Sequence, residues 1–137
     1  MENKQIEDAI KSLLGKAEEL INDPEKRNEF FKALSEKTNL IDDITQRAKD
    51  LPLLIDIVRD YTNGTYKIIP VKSIVFIVAT LLYVINPFDL IPDFIPVLGI
   101  SDDATAIILC IKAISDDIES YKKWKADNAI VIDVKPN

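Results

Sequence analysis

The feature that most constrains this fold is a stretch of thirteen consecutive residues, 73–85, without a charged side chain. Its apolar residues would point in every direction around a helix, leaving no polar stripe to face water. Such a helix must be enclosed on all sides, either by protein or by lipid. Thirteen residues make a helix about 20 Å long, whereas the hydrocarbon core of a bilayer is about 30 Å thick. We therefore expect residues 68–85 to form the central buried helix of a compact bundle.

A second helix is predicted from an N-cap at Ser101 to about Lys125. Lys112, Asp116 and Glu119 fall on one face of it, opposite a run of isoleucines, which is typical of a helix with one side in water. An integral two-span membrane hairpin is the alternative, because lysines gather at one end of the hairpin and acidic residues at the other. The lysines that define this asymmetry are Lys67, Lys72, Lys112, Lys122, Lys123 and Lys125.

The amino-terminal half predicts amphipathic helices that would wrap the central one. Asp23 followed by Pro24 is typical of an N-cap and a first helical residue. Pro52 should interrupt a later helix near Asp50, and the Asn63-Gly64 pair predicts a loop. The sequence thus predicts an all-α bundle of about five to six helices in one domain, residues 1–125. Residues 1–50 form its amphipathic part, 51–124 contain the hairpin, and 126–137 form a frayed tail.

Composition excludes several classes of function. The net charge of −6 and the pI near 4.7 disfavour nucleic acid as a partner. The chain has no histidine and no glycine-rich phosphate loop, so the common nucleophile pairs and nucleotide sites are missing. Its single cysteine, Cys110, excludes an intramolecular disulfide, and the acidic start of the sequence is not typical of a cleavable signal peptide. We expect a protein that is not an enzyme and needs no cofactor.

The segment between the two hairpin helices combines prolines, large apolar residues and carboxylates. No basic residue occurs between Lys72 and Lys112. A divalent cation is one hypothesis for the acidic residues, since Mg²⁺ and Ca²⁺ prefer oxygen ligands. The favoured alternative is helix capping and interaction with the helix dipole. The candidate ligands are Asp89, Asp93, Asp102 and Asp103.

A distinctive pattern is formed by Tyr83, Pro87, Asp89, Leu90, Ile91, Pro92, Asp93, Ile95, Pro96, Gly99, Asp102 and Asp103. This pattern resembles the signature of the YkvA-like bacterial domain of unknown function. The resemblance covers residues 51–124, while the first fifty lie outside it, and it implies a helical hairpin. Members of that family are commonly regarded as membrane-associated, and a related hairpin accompanies the membrane spans of a eukaryotic ubiquitin ligase. No catalytic residues can be transferred, because the family has no agreed activity.

These observations predict an interaction module whose partner is a protein or a membrane, with the Asp-Pro turn as its specific surface. The expected location is the cytoplasm, at the inner face of the membrane, with a multi-pass membrane protein as the alternative. The sequence identifies neither the partner nor the oligomeric state.

Overall fold

The computed structural model describes residues 3–85 and 103–134, without the side chains of 129–134. Within these residues the chain is entirely helical apart from turns and short connections, so the predicted all-α class is confirmed. The helices are α1 (Asn3–Lys11), α2 (Leu14–Asn22), α3 (Pro24–Glu36), α4 (Thr38–Arg47), α5 (Leu51–Thr62), α6 (Val71–Ile85), α7 (Asp103–Ala113) and α8 (Ser115–Val134).

Three helix boundaries follow directly from local sequence. The Asp23 carboxylate accepts hydrogen bonds from the main-chain N–H groups of Glu25 (2.9 Å) and Lys26 (3.3 Å), as predicted for the N-cap of α3. Pro52 lies in the first turn of α5, where its missing N–H removes no helical bond. Beyond α5 the chain turns at Gly64, whose φ of 86° is a conformation that favours glycine.

The uncharged helix α6 is the centre of the bundle. It packs against α1, α2, α5 and α7, and every side chain from residue 77 to residue 85 is buried. Leu81 and Ile77 are completely enclosed. The protein's own helices therefore provide the enclosure that this segment requires, as expected.

Several predicted helices are subdivided, which makes the described helices more numerous than expected. The first amphipathic segment breaks between α1 and α2, where the Ser12 hydroxyl donates to the Ala9 carbonyl oxygen at 2.6 Å. Such bonds compete with regular helical bonding. The second hairpin helix is divided into α7 and α8 at Ile114.

Two predicted boundaries were placed wrongly. Ile68 lies outside α6, which begins only at Val71, because Pro70 fixes the chain immediately before the helix. The helix expected to end near Lys125 continues to Val134. No glycine or proline interrupts residues 126–134, and Pro136 is the next residue that opposes a helix.

Candidate functional site

The most exposed large apolar side chains of the described residues lie just before α6 and in its first turn. Ile68 is 77% exposed and Val71 is 54% exposed, and the exposed lysines Lys67 and Lys72 flank them. We call these four residues the basic aliphatic edge. The two exposed aliphatic side chains lie three residues apart between two cations, and we take this edge as a candidate contact surface.

The edge is held in place by buried residues on both sides. Tyr66 is buried, and its N–H donates to the Asp60 carbonyl oxygen at 3.0 Å, which ties the connection back onto α5. Ile69 is also buried. The Pro70 carbonyl oxygen then accepts from the N–H of Ser73 at 3.0 Å and starts α6. Lys67 and Ile68 therefore project from a short connection anchored at both ends.

A groove of about 540 Å³ opens beside the edge, between α2, the first turns of α6 and the α7–α8 junction. Its wall is largely apolar, and Val71 and Lys72 belong to both the groove and the edge. The remaining residues that line it are Leu14, Gly15, Glu18, Ser73, Val75, Phe76, Ala113 and Ile114. Val75 and Phe76 are only partly buried, in contrast to the rest of α6 beyond them.

Helix α8 is fastened near this groove by polar contacts. The Ser73 hydroxyl donates to the Asp117 carboxylate, which joins α6 to α8. The Tyr121 hydroxyl donates to the Asp60 carboxylate at 2.5 Å, and the Lys125 ammonium lies 3.4 Å from the Asp56 carboxylate. These contacts hold α8 in place. Its first residue follows Ala113 and Ile114, which form one wall of the groove.

An aromatic cluster of Tyr66, Tyr121 and Trp124 packs behind the same contacts, with ring centroids 4.8 to 5.7 Å apart. Burial raises the pKa of Tyr121, and its hydrogen bond to Asp60 raises it further. Burial likewise raises the pKa of Tyr66, with a smaller contribution from Asp117. Tyr121 is fully buried. It therefore belongs to the protein interior, whereas Trp124 is partly buried against the core.

Cys110 is enclosed in α7, and burial raises the pKa of its thiol to about 12. A thiol with so high a pKa remains protonated near neutral pH and is a poor nucleophile. The side chain therefore contributes packing to the core.

A second groove of about 300 Å³ lies between α2, α3 and the end of α6. Its rim alternates in charge, with Lys16 and Glu19 on α2 and Lys26 and Glu29 on α3. Lys26 and Glu19 form an ion pair at 3.2 Å across it. The positive and negative charges of the rim balance each other, so the groove would favour neither an anionic nor a cationic ligand.

Most of the signature predicted from the sequence lies outside the described residues, including Asp89, Asp93 and Asp102. Tyr83 and Asp103 are the signature residues within them. Tyr83 is buried in α6, and Asp103 is 6% exposed as the first residue of α7. No three carboxylate or thiol side chains in the described part of the chain group as metal ligands. The cation hypothesis thus stays a prediction.

Sequence reasoning missed both the edge and the groove. The sequence does contain a signal for the edge. Pro70 marks the start of a helix and leaves Ile68 before it, between lysines at positions 67 and 72. The groove depends on how α2, α6 and the α7–α8 junction diverge, and no local sequence pattern predicts that arrangement. The contact between Ser73 and the half-buried Asp117 has no signal in the sequence either.

In comparisons with known proteins, residues 73–109 match the model of a family described as "Protein of unknown function (DUF1232)". A protein of Bacillus subtilis (strain 168), named "Uncharacterized membrane protein YkvA", is 39% identical over 67 residues. That match covers 49% of this chain and 63% of the Bacillus protein, so the two share only part of their lengths. No solved structure matches the chain significantly. The predicted resemblance to the YkvA-like domain is confirmed.

The family match includes α6 from its third residue and α7 as far as Leu109. It ends before the α7–α8 junction, and it does not include α1 and α2. In residues 3–85 and 103–134, no helix combines the length and the apolar character needed to cross a membrane.

Proposed function

We propose that this protein is a non-enzymatic helical module that binds the surface of an anionic membrane through the basic aliphatic edge. The observation that carries the proposal is the exposure of Ile68 and Val71 between Lys67 and Lys72. Aliphatic side chains that enter the headgroup boundary gain free energy from burial, and adjacent lysines gain from anionic headgroups. The edge offers both contributions in a single short segment.

The overall charge of −6 opposes approach to an anionic surface, but only at long range. At physiological ionic strength the Debye length is about 8 Å, so acidic residues elsewhere on the bundle are largely screened. Lys67 and Lys72 would act at contact distance, where screening is weakest. Each lysine near such a surface contributes about 1 kcal/mol. The expected binding is therefore local, modest and reversible.

Peripheral attachment is preferred to a two-span hairpin because of the environment of α6. Its residues 77–85 are enclosed by α1, α2, α5 and α7, and insertion into lipid would require those contacts to be broken. The relative named a membrane protein supports a membrane as the partner and leaves the mode of attachment open. Alkaline carbonate washing of membranes from expressing cells tests the mode, because a peripheral protein is released and an integral hairpin is retained.

Flotation with lipid vesicles tests the proposal itself. The full chain should float with vesicles of phosphatidylglycerol and phosphatidylcholine, and less with phosphatidylcholine alone. Ile68→Asp should abolish flotation, because it places a carboxylate at the membrane contact and removes the aliphatic side chain. Ser120→Asp is the matched control, since it adds the same charge at an exposed position of α8.

Lys67→Gln and Lys72→Gln should each weaken binding to the anionic vesicles several-fold, as expected for about 1 kcal/mol per lysine. They should leave the weak binding to neutral vesicles unchanged. If Ile68→Asp floated as well as the wild type, or if Ser120→Asp also failed to float, the edge would not be the membrane contact.

A further inference from the structure

We propose that the groove beside the edge accommodates one acyl chain of an anionic membrane lipid, with Lys72 at its headgroup. This inference rests on the proposed function, because it assigns a ligand to the surface that meets the membrane. Val71 and Lys72 line the groove and also belong to the edge. A lipid held at the edge would therefore have direct access to the groove.

The lining suits a hydrocarbon chain better than a polar ligand. Leu14, Val75, Phe76 and Ile114 supply aliphatic and aromatic surface. The hydroxyl of Ser73 donates to Asp117 and is engaged within the protein. A polar ligand would find few partners along such a wall, whereas a chain of methylene groups requires none.

The size of the groove is that of a small-molecule site. Its volume of about 540 Å³ falls within the range of such sites, about 300–1,000 Å³.

Charges at the groove orient the ligand. Lys72 lies on the α6 side and Glu18 on the α2 side, and both are exposed. An anionic headgroup is attracted by the ammonium group and repelled by the carboxylate, so it should sit at Lys72. The acyl chain would then extend past Val75 and Phe76 toward Ile114.

Gly15 provides an independent observation. A Cβ atom built on Gly15 would meet no atom within 4 Å, so neighbouring atoms do not require glycine there. Its φ is not in the left-handed region either, since Gly64 alone among the described residues has a positive φ. Glycine within a helix is less stable than alanine, yet this one lines the groove and leaves it open.

Dodecyl phosphate, used below its micelle concentration, is a suitable probe for the full chain. We expect it to raise the melting temperature and to shift the methyl resonances of Val71, Val75 and Ile114. Affinity should fall on the order of tenfold for every two methylenes removed from the chain. Inorganic phosphate, which has no chain, should have no effect on these resonances.

Gly15→Leu should fill the groove and abolish binding of dodecyl phosphate, while Gly15→Ala adds little volume and should retain it. Ala113→Leu, at an exposed position on the opposite wall, is a second filling variant if Gly15→Leu unfolds. Equal binding by the wild type and the filled variants would overturn the inference, as would shifts confined to residues far from the groove, such as Ile44.

The two proposals fail in different ways. If vesicles float the wild type but dodecyl phosphate produces no shifts, the groove inference is wrong and membrane binding stands. If dodecyl phosphate binds in the groove but no vesicle floats the protein, the groove inference holds for a monomeric amphiphile, and both the edge as a membrane contact and the assignment of a membrane lipid are wrong.

Discussion

The two halves of α6 have similar apolar sequences but different surroundings. From residue 77 to residue 85 every side chain is buried beneath neighbouring helices. From Val71 to Phe76 the same helix is open on one side, with Val71 exposed and Val75 and Phe76 only partly covered. A hydrophobic sequence therefore identifies which segment must be buried, whereas the tertiary arrangement determines which part of that segment is buried.

The open half is also the half that carries charge. Lys72 lies in its first turn and Lys67 precedes it, whereas the closed half contains no charged side chain. Exposed aliphatic side chains beside lysines are the combination that an anionic membrane surface would attract. We therefore interpret the closed half as structural and the open half as the contact surface, and the following experiments test that division.

The largest expected effect comes from truncation within the closed half. Leu81→Ala should lower the free energy of unfolding by about 2–5 kcal/mol, because Leu81 is completely buried and its loss leaves a cavity. Val71→Ala, in the open half of the same helix, should change it by less than about 0.5 kcal/mol. Urea denaturation of both variants measures the difference. Similar losses at the two positions would contradict the division.

A smaller effect is expected where the open half is joined to α8. Ser73→Ala removes the donor to the half-buried Asp117 carboxylate and should lower the free energy of unfolding by about 1–3 kcal/mol. Ser35→Ala is the control, since that hydroxyl bonds only within its own exposed helical turn. Urea denaturation should give a near-zero change for the control. An unchanged stability for Ser73→Ala would show that the contact does not hold α8 in place.

Alkaline pH tests the aromatic cluster of Tyr66, Tyr121 and Trp124, which packs behind the polar contacts of α8. The pKa values of Tyr66 and Tyr121 are raised in the folded state, mainly by burial, so the folded protein retains protons that the unfolded chain releases. Their contribution to stability is complete below about pH 10 and is lost as the pH rises above that value. The loss is at most about 1.4 kcal/mol per pH unit for each tyrosine.

Urea denaturation between pH 9 and 11 should therefore show a flatter decline for Tyr121→Phe than for the wild type. Tyr66→Phe should flatten it as well, and the double variant should flatten it most. If the free energy of unfolding declined equally with pH in all four proteins, folding would not raise the pKa values of these two tyrosines.

Much of the fold could be predicted from sequence, because its causes are local. The uncharged run of residues 73–85 requires enclosure, Asp23-Pro24 specifies a helix start, and Asn63-Gly64 specifies a turn. The side that stays open could not be predicted, since it depends on how α2, α6 and the α7–α8 junction diverge. The Ser73–Asp117 contact joins residues 44 positions apart, and no sequence period connects them. The predicted Asp-Pro turn surface lies mostly outside the described residues and stays a prediction.

The smallest effect concerns Gly15, which faces the open half across the groove. Gly15→Ala should raise the free energy of unfolding by about 0.5–1 kcal/mol, because alanine favours the helix and its Cβ meets no neighbouring atom. Thermal and urea denaturation measure the gain. A stabilised variant that still binds dodecyl phosphate would mean that the open groove requires only a small side chain at this position. A destabilised variant would instead show that the groove wall closes onto Gly15 in solution, and the open half of α6 would then be better covered than we infer.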